Sequence, residues 1–154
     1  KIAELVDQSI AAGAKVEIGG KTPDGVGAFY PATVLTVAKD NPILRHEIFG
    51  PVAPVVIFDT DAEGIALAND TNYGLAASVF TANTRNAIRA ARDIKAGTVT
   101  VNTYGEGSIA TPFGGYKQSG FGGRDNGIHA HDQFTEIKTI WIDLTDPADG
   151  DNVG

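Results

Sequence analysis

The sequence contains no cysteine and no methionine. Without cysteine, this chain supplies no disulfide, no thiolate metal ligand and no thiol nucleophile. It has no apolar run of membrane-spanning length, and no signal-peptide pattern opens it. Basic residues are the minority, 12 Lys and Arg against 19 Asp and Glu, for a net charge of −7. That balance argues against nucleic acid and anionic membranes as partners. Its 154 residues, 42% hydrophobic and 20% charged, fit one soluble globular domain with a real core. A cytoplasmic location is the expectation. The chain starts at Lys1 directly on a helical pattern, so it reads as a piece of a longer polypeptide.

The pattern along the chain is α/β. Ile2, Leu5, Val6 and Ile10 mark one face of a helix over 1–12, and Gly13 follows where a C-terminal cap belongs. Val16 and Ile18 alternate with charge as in a short half-buried strand. A loop over 21–28 leads to strand character from Phe29 to Val37, with Pro31 favouring an edge. Val52–Phe58, Ala76–Thr81 and Thr98–Asn102 read as strands. Thr60 and Glu63 have capping-box spacing for a helix to Asp70. Asn83 caps a second helix, expected to run to Ala96 with Ala87, Ile88, Ala91 and Ile94 inward. Strand-helix-strand-helix-strand predicts a parallel-sheet core of βαβ units. A short helix is expected over 124–135. Ile137–Leu144 reads as a strand apolar on both faces, which pairing with a second chain would cover. The acidic tail from Asp146 is expected to be disordered.

Glu47-Ile48-Phe49-Gly50-Pro51 organises the rest. In an extended segment Glu47 and Phe49 point the same way. Gly-Pro then turns the chain. A carboxylate offers two acceptor oxygens, a match for a vicinal diol such as a ribose edge, with a flat ring beside it.

Other motifs carry less. Gly105-Glu106-Gly107-Ser108-Ile109-Ala110 fits G-x-G-x-x-A after a strand, but Thr111-Pro112-Phe113 is poor material for the helix such a pyrophosphate cradle needs. Gly19-Gly20-Lys21-Thr22 lacks the upstream glycine of a P-loop. His129 and His131 would face different sides of a helix, without a third ligand nearby, so no metal site is assigned. The dense glycines of 103–123 predict a loop close to a ligand or at the surface.

Three stretches in order carry a resemblance. They are Glu47–Pro51, Asn69-Asp70-Thr71-Asn72-Tyr73-Gly74-Leu75-Ala76-Ala77, and the run from Gly97-Thr98-Val99-Thr100-Val101-Asn102 to Pro112-Phe113-Gly114-Gly115-Tyr116-Lys117-Gln118-Ser119-Gly120. Together they resemble the C-terminal part of the catalytic domain of the NAD(P)-dependent aldehyde dehydrogenase superfamily. Residues 1–145 are covered, with an oligomerisation strand at about 136–145. The segment from His129-Ala130 to Trp141 resembles the branch acting on γ-glutamyl-aminobutyraldehyde and related aminoaldehydes.

The resemblance implies an enzyme that oxidises an aldehyde to a carboxylic acid with NAD or NADP. It places the catalytic cysteine, the glutamate base, the oxyanion donor and most of the dinucleotide site upstream of this chain. No catalytic residue is therefore assigned here, and the chain alone is expected to be inactive. Glu47 matches the glutamate that binds the nicotinamide-ribose hydroxyls, Phe49 the ring beside that ribose, and Leu75 a leucine near the nicotinamide. Phe113 matches a wall of the aldehyde pocket. Tyr104 and Glu106 match the loop at the tunnel mouth. With Gly105 and Gly107 around Glu106, that mouth is expected to be open and acidic, suited to an amine-bearing aldehyde. Gly122-Gly123-Arg124 carries one glycine more than the family pattern. The last strand matches one that joins a neighbouring subunit in a homo-oligomer. The competing reading is a stand-alone binding or assembly module that keeps the fold without the chemistry.

Overall fold

The computed structural model describes residues 1–105 and 107–144. Glu106 and the acidic tail lie outside them. Helix α1 (Ile2–Ala11) covers a three-stranded sheet of β1 (Lys15–Ile18), β2 (Thr33–Thr36) and β3 (Val52–Val55). β1 runs antiparallel to β2, and β2 parallel to β3 with Leu35 opposite Pro54. Val6, Leu35, Val37 and Ile43 are buried at this contact, with Ile48 and Val52 packed against them. Burial of a few such side chains, each worth about 1.5–3 kcal/mol, anchors this end of the chain. Inside it the buried Ser9 hydroxyl donates to Asn41 Oδ1 at 2.9 Å, and Asn41 Nδ2 donates back to the Ser9 carbonyl at 3.1 Å. Both polar groups are thereby satisfied, as burial requires.

The second half is built on two helices. Thr60 caps α2 (Asp61–Asn69), its hydroxyl accepting from Glu63 N–H at 3.3 Å, while the Glu63 carboxylate accepts from Asp59 N–H at 2.9 Å. That is the capping exchange read from the sequence, displaced by one residue. Asn83 caps α3 (Thr84–Asp93), accepting from Arg85 and Asn86 N–H. β5 (Ala76–Val79) and β6 (Thr98–Val101) flank α3 as a parallel pair, Ala77 opposite Val99. A two-residue ladder pairs β4 (Tyr73–Gly74) with β7 (Tyr116–Lys117).

The α/β class and its parallel strand pairs stand as read. One continuous sheet through all three central strands does not. β3 takes β2 as its parallel neighbour, and β5 takes β6, in separate ladders. Hydropathy marks a strand but not its partner. β1 is exposed along its whole length rather than half-buried. α3 stops at Asp93, because Ile94 is extended, and it buries Ala87 and Ala90 while Ile88 faces out. The helix expected over 124–135 is a short 3-10 segment, Ile128–Gln133. Residues 137–144 enter no ladder among the described residues, and Ile137, Trp141 and Leu144 are exposed. Among the described residues, no helix is long and apolar enough to cross a membrane.

Candidate functional site

The site begins where the first sheet ends. Asn41 Oδ1 accepts from Ile43 N–H at 3.1 Å and caps the 3-10 turn Pro42–Arg45, after which the chain is extended. Ile48 is turned toward the core, so Glu47 and Phe49 both face out. This is the i, i+2 geometry expected of an extended segment. Gly50 closes it. A Cβ there would meet the tip of the Ile2 side chain on α1, so glycine lets helix and turn approach without shifting Ile2.

The Glu47 carboxylate lines two open clefts. The first, ≈ 480 Å³, also has Phe49, Tyr73, Arg45 and Gln8 in its walls. The second, ≈ 240 Å³, brings Glu47 together with Tyr73, Leu75, Ala76 and Ser119. Glu47 makes no hydrogen bond or ion pair to a described residue, so both carboxylate oxygens stay available to a ligand. Phe49 is 77% exposed in the first cleft and does not line the second. Arg45, the nearest cation in sequence, is engaged elsewhere. It donates to Asp70 Oδ2 at 2.7 Å and to the Asp70 carbonyl at 2.9 Å. That guanidinium holds the Asp70 carboxyl below the usual carboxylate range.

Leu75 belongs to the second cleft and also to a third groove, ≈ 730 Å³, lined by Tyr104, Gly105, Gly107 and Phe113. Its position follows from the residue before it. Gly74 is buried and pairs with Tyr116. Its N–H donates to Ser119 Oγ at 3.1 Å, and its carbonyl accepts from Gly97 N–H at 3.0 Å. Leu75 itself accepts from Thr98 N–H at 3.1 Å. Phe113 is held by reciprocal 2.7 Å bonds with Asp125. Tyr104 stands at the rim, 90% exposed.

The structure therefore places five of the six residues singled out from sequence on three clefts that share lining residues: Glu47 and Phe49 on the first, Glu47 and Leu75 on the second, Leu75, Tyr104 and Phe113 on the third. Glu106, the sixth, lies outside the described residues. The carboxylate and ring offer what a ribose diol needs: free acceptors with no internal partner, in a cleft with an apolar neighbour. A vicinal diol would find two acceptors here. The glycine-rich motif does not form a phosphate cradle. After Gly107 the chain turns, with Thr111 Oγ1 accepting from Ser108 N–H at 3.0 Å, and no helix follows. Among the described residues, no group of three or more His, Asp or Glu is placed to hold a metal. His129 Nδ1 lies 3.6 Å from Asp132 instead.

Sequence reasoning missed Tyr73 and Ser119 as cleft residues. Ser119 reaches its partner 45 residues away, so no local pattern reports it.

Residues 1–140 match the model of the aldehyde dehydrogenase family. The chain is 52% identical over 145 residues to an aminoacetaldehyde dehydrogenase of Pseudomonas aeruginosa, covering 94% of this chain and 29% of that protein. A betaine aldehyde dehydrogenase of Sinorhizobium fredii is 42% identical over 148 residues, 94% of this chain and 30% of its own length. The fold matches an indole-3-acetaldehyde dehydrogenase of P. syringae in complex with NAD+, with a TM-score of 0.85 and 44% identity over 93% of this chain and 29% of that one. It also matches an NAD+ complex of a Bacillus cereus aldehyde dehydrogenase, with a TM-score of 0.84 and 42% identity over 94% and 29%. The chain thus spans under a third of the length of these relatives. With both sequence and fold in agreement over nearly all its residues, the chain belongs to the aldehyde dehydrogenase family.

Proposed function

We propose that this chain is the C-terminal part of the catalytic domain of an enzyme that oxidises an aldehyde to a carboxylic acid with NAD+ or NADP+. The observation that carries this reading is the unpartnered Glu47 carboxylate in a cleft shared with Leu75. Its oxygens accept hydrogen bonds from the two hydroxyls of the nicotinamide ribose. Charged acceptors make such bonds stronger than neutral ones. The Phe49 ring packs beside the sugar, and Leu75 bounds the nicotinamide ring. A nicotinamide held there would supply the hydride acceptor for the oxidation. Phe113 and Tyr104 wall the route by which the aldehyde arrives. The contribution of all these residues is placement, where small displacements cost large factors in rate.

The nucleophile comes from a different stretch of polypeptide, because this chain has no cysteine. We therefore read the chain as inactive alone. The substrate class we favour is an aminoaldehyde. In the sequence Glu106 stands between two glycines in the segment that resembles the family's tunnel-mouth loop, and the similarity to an aminoacetaldehyde dehydrogenase supports the same class. Residues 137–144 present Ile137, Ile140, Trp141 and Leu144 to solvent, which supports a role as the strand added to a neighbouring subunit.

NADH formation is the test. The full-length protein, incubated with aminoacetaldehyde and NAD+ or NADP+, is expected to raise absorbance from the reduced cofactor, and the isolated chain to give none. Turnover by the isolated chain, or none by the full-length protein with any aldehyde, would overturn the reading.

A further inference from the structure

The glycine-rich segment does more than line the aldehyde groove. Helix α2 ends at Asn69 without a glycine cap: Asp70 follows with φ −80° and ψ 59°, and the last turn carries no basic residue. The last carbonyls of a helix need donors from elsewhere. Lys117 supplies one from 48 residues away. Its ammonium donates to the Asn69 carbonyl at 2.9 Å and to the Thr71 carbonyl at 3.0 Å. A cation at a helix C-terminus also favours the macrodipole. Lys117 adopts φ +53°, a left-handed conformation that disfavours a lysine. It is held there by the β4–β7 ladder, where it faces Tyr73.

The residues around it grip the same segment. Gln118 N–H donates to the Asn72 carbonyl at 3.0 Å, and Ser119 Oγ accepts from the buried Gly74 N–H at 3.1 Å. From the other side Asn69 accepts from Lys95 N–H at 2.7 Å and donates to the Asp93 carbonyl at 2.9 Å. Leu75 comes next in the chain and, with Ala76 and Ala77, lines both the Glu47 cleft and the Phe113 groove; of the three it has the largest side chain. Lys117 lines none of the three clefts.

We propose that Lys117, with Ser119, is a positioning residue for hydride transfer: the two fix Asn69–Gly74 so that Leu75 stands where the nicotinamide and the aldehyde meet. This rests on the reading of Leu75 as the neighbour of the nicotinamide. Lys117 acts through Leu75 and touches neither reactant.

The experiment compares Lys117→Met, Lys117→Arg, Lys117→Gly and Ser119→Ala in the full-length protein. Lys117→Met is expected to lower kcat at least about tenfold, within the ~10²-fold that a ~1 Å misplacement of the reacting pair can cost. Aldehyde KM should change by less than about twofold, because ground-state binding is untouched. The isotope effect with a C1-deuterated aldehyde should rise as hydride transfer becomes limiting. Lys117→Arg should recover most of kcat. Lys117→Gly should stay as low as Lys117→Met, since it relieves the left-handed backbone without restoring the two bonds. If Lys117→Met does not fold, Lys117→Gln gives the same readout; Ser119 also lines the Glu47 cleft, so Ser119→Ala is read beside it through NAD+ Kd. A lower melting temperature with kcat and isotope effect unchanged makes the brace structural only and overturns the proposal. So does recovery in Lys117→Gly. If the unaltered protein oxidises no aldehyde, the underlying reading fails and takes this proposal with it. An active parent with insensitive variants overturns the positioning role alone.

Discussion

Arg45 grips Asp70 at two points, the carboxylate at 2.7 Å and the backbone carbonyl at 2.9 Å. The two residues are 25 apart in sequence. One precedes Glu47 by two positions, and the other opens the run to Leu75. This clamp ties together the two segments whose side chains share the second cleft. Both side chains are roughly half exposed, so the clamp fixes geometry more than it stabilises the fold.

The clamp has a pH signature. The Arg45 hydrogen bond and charge hold the Asp70 carboxyl below its usual range. A depressed carboxylate contributes stability that is fully present above its unfolded value, about 3.9. That stability is lost as pH falls through the lower folded value, where the unfolded state already binds the proton. Asp70→Asn should therefore be less stable than the parent at neutral pH. The gap should narrow as pH falls below about 3.9 and toward the lower folded value. Urea unfolding at neutral and at acidic pH checks this. An equal gap at both would show that the carboxylate charge is irrelevant.

Gly97 should not tolerate alanine. A Cβ at Gly97 would collide with the Gly114 carbonyl, backbone against backbone. Forcing extra volume into such a contact costs about 1–3 kcal/mol. The contact lies beside the Gly97–Gly74 hydrogen bond, so Leu75 should lose its support as well. An unchanged denaturation midpoint for Gly97→Ala would contradict the close approach.

Asn102 extends the β5–β6 pair with its side chain. Its Oδ1 accepts from Thr81 N–H at 2.8 Å, and its Nδ2 donates to the Thr81 carbonyl at 3.0 Å. It sits at φ +54°, a conformation asparagine tolerates better than most residues. Asn102→Ala should lose both bonds and add strain, about 1–3 kcal/mol in all. Asn102→Gly keeps the backbone and loses only the bonds, so it should fall between the two. Chemical denaturation of the three proteins gives the order directly.

Glu106→Gln in the full-length protein should raise KM several-fold for a cationic aldehyde and leave a neutral one unchanged. The expected cause is charge alone: a carboxylate beside a substrate entrance concentrates cations, and an amide does not. Equal KM values for both aldehydes would remove the electrostatic case for an aminoaldehyde.

Local chemistry was legible in the sequence wherever it acts over short range. Thr60, Asn83 and the Glu47–Phe49 alternation sit as their spacing implied. Partners were not legible. Nothing in Val52–Val55 says that it pairs with Thr33–Thr36, because a strand's hydropathy is blind to its neighbour. On α3 the expectation held for Ala87 and failed for Ile88, for a related reason. Ala87 and Ala90 lie toward the packing surface, and the larger Ile88 lies outside it, so side-chain size misled the periodicity. The links that place Leu75, from Lys117 and Ser119, span 45 to 48 residues and exist only after folding.

Titration of NAD+ into the full-length protein, with Glu47 intact and as Glu47→Gln, measures the ribose contact itself. A hydrogen bond to a charged group is worth about 1.5–3 kcal/mol, so the glutamine variant should bind about ten- to hundredfold more weakly. An unchanged Kd for the variant, with aldehyde oxidation at the parent rate, would contradict a role for this carboxylate in holding the cofactor.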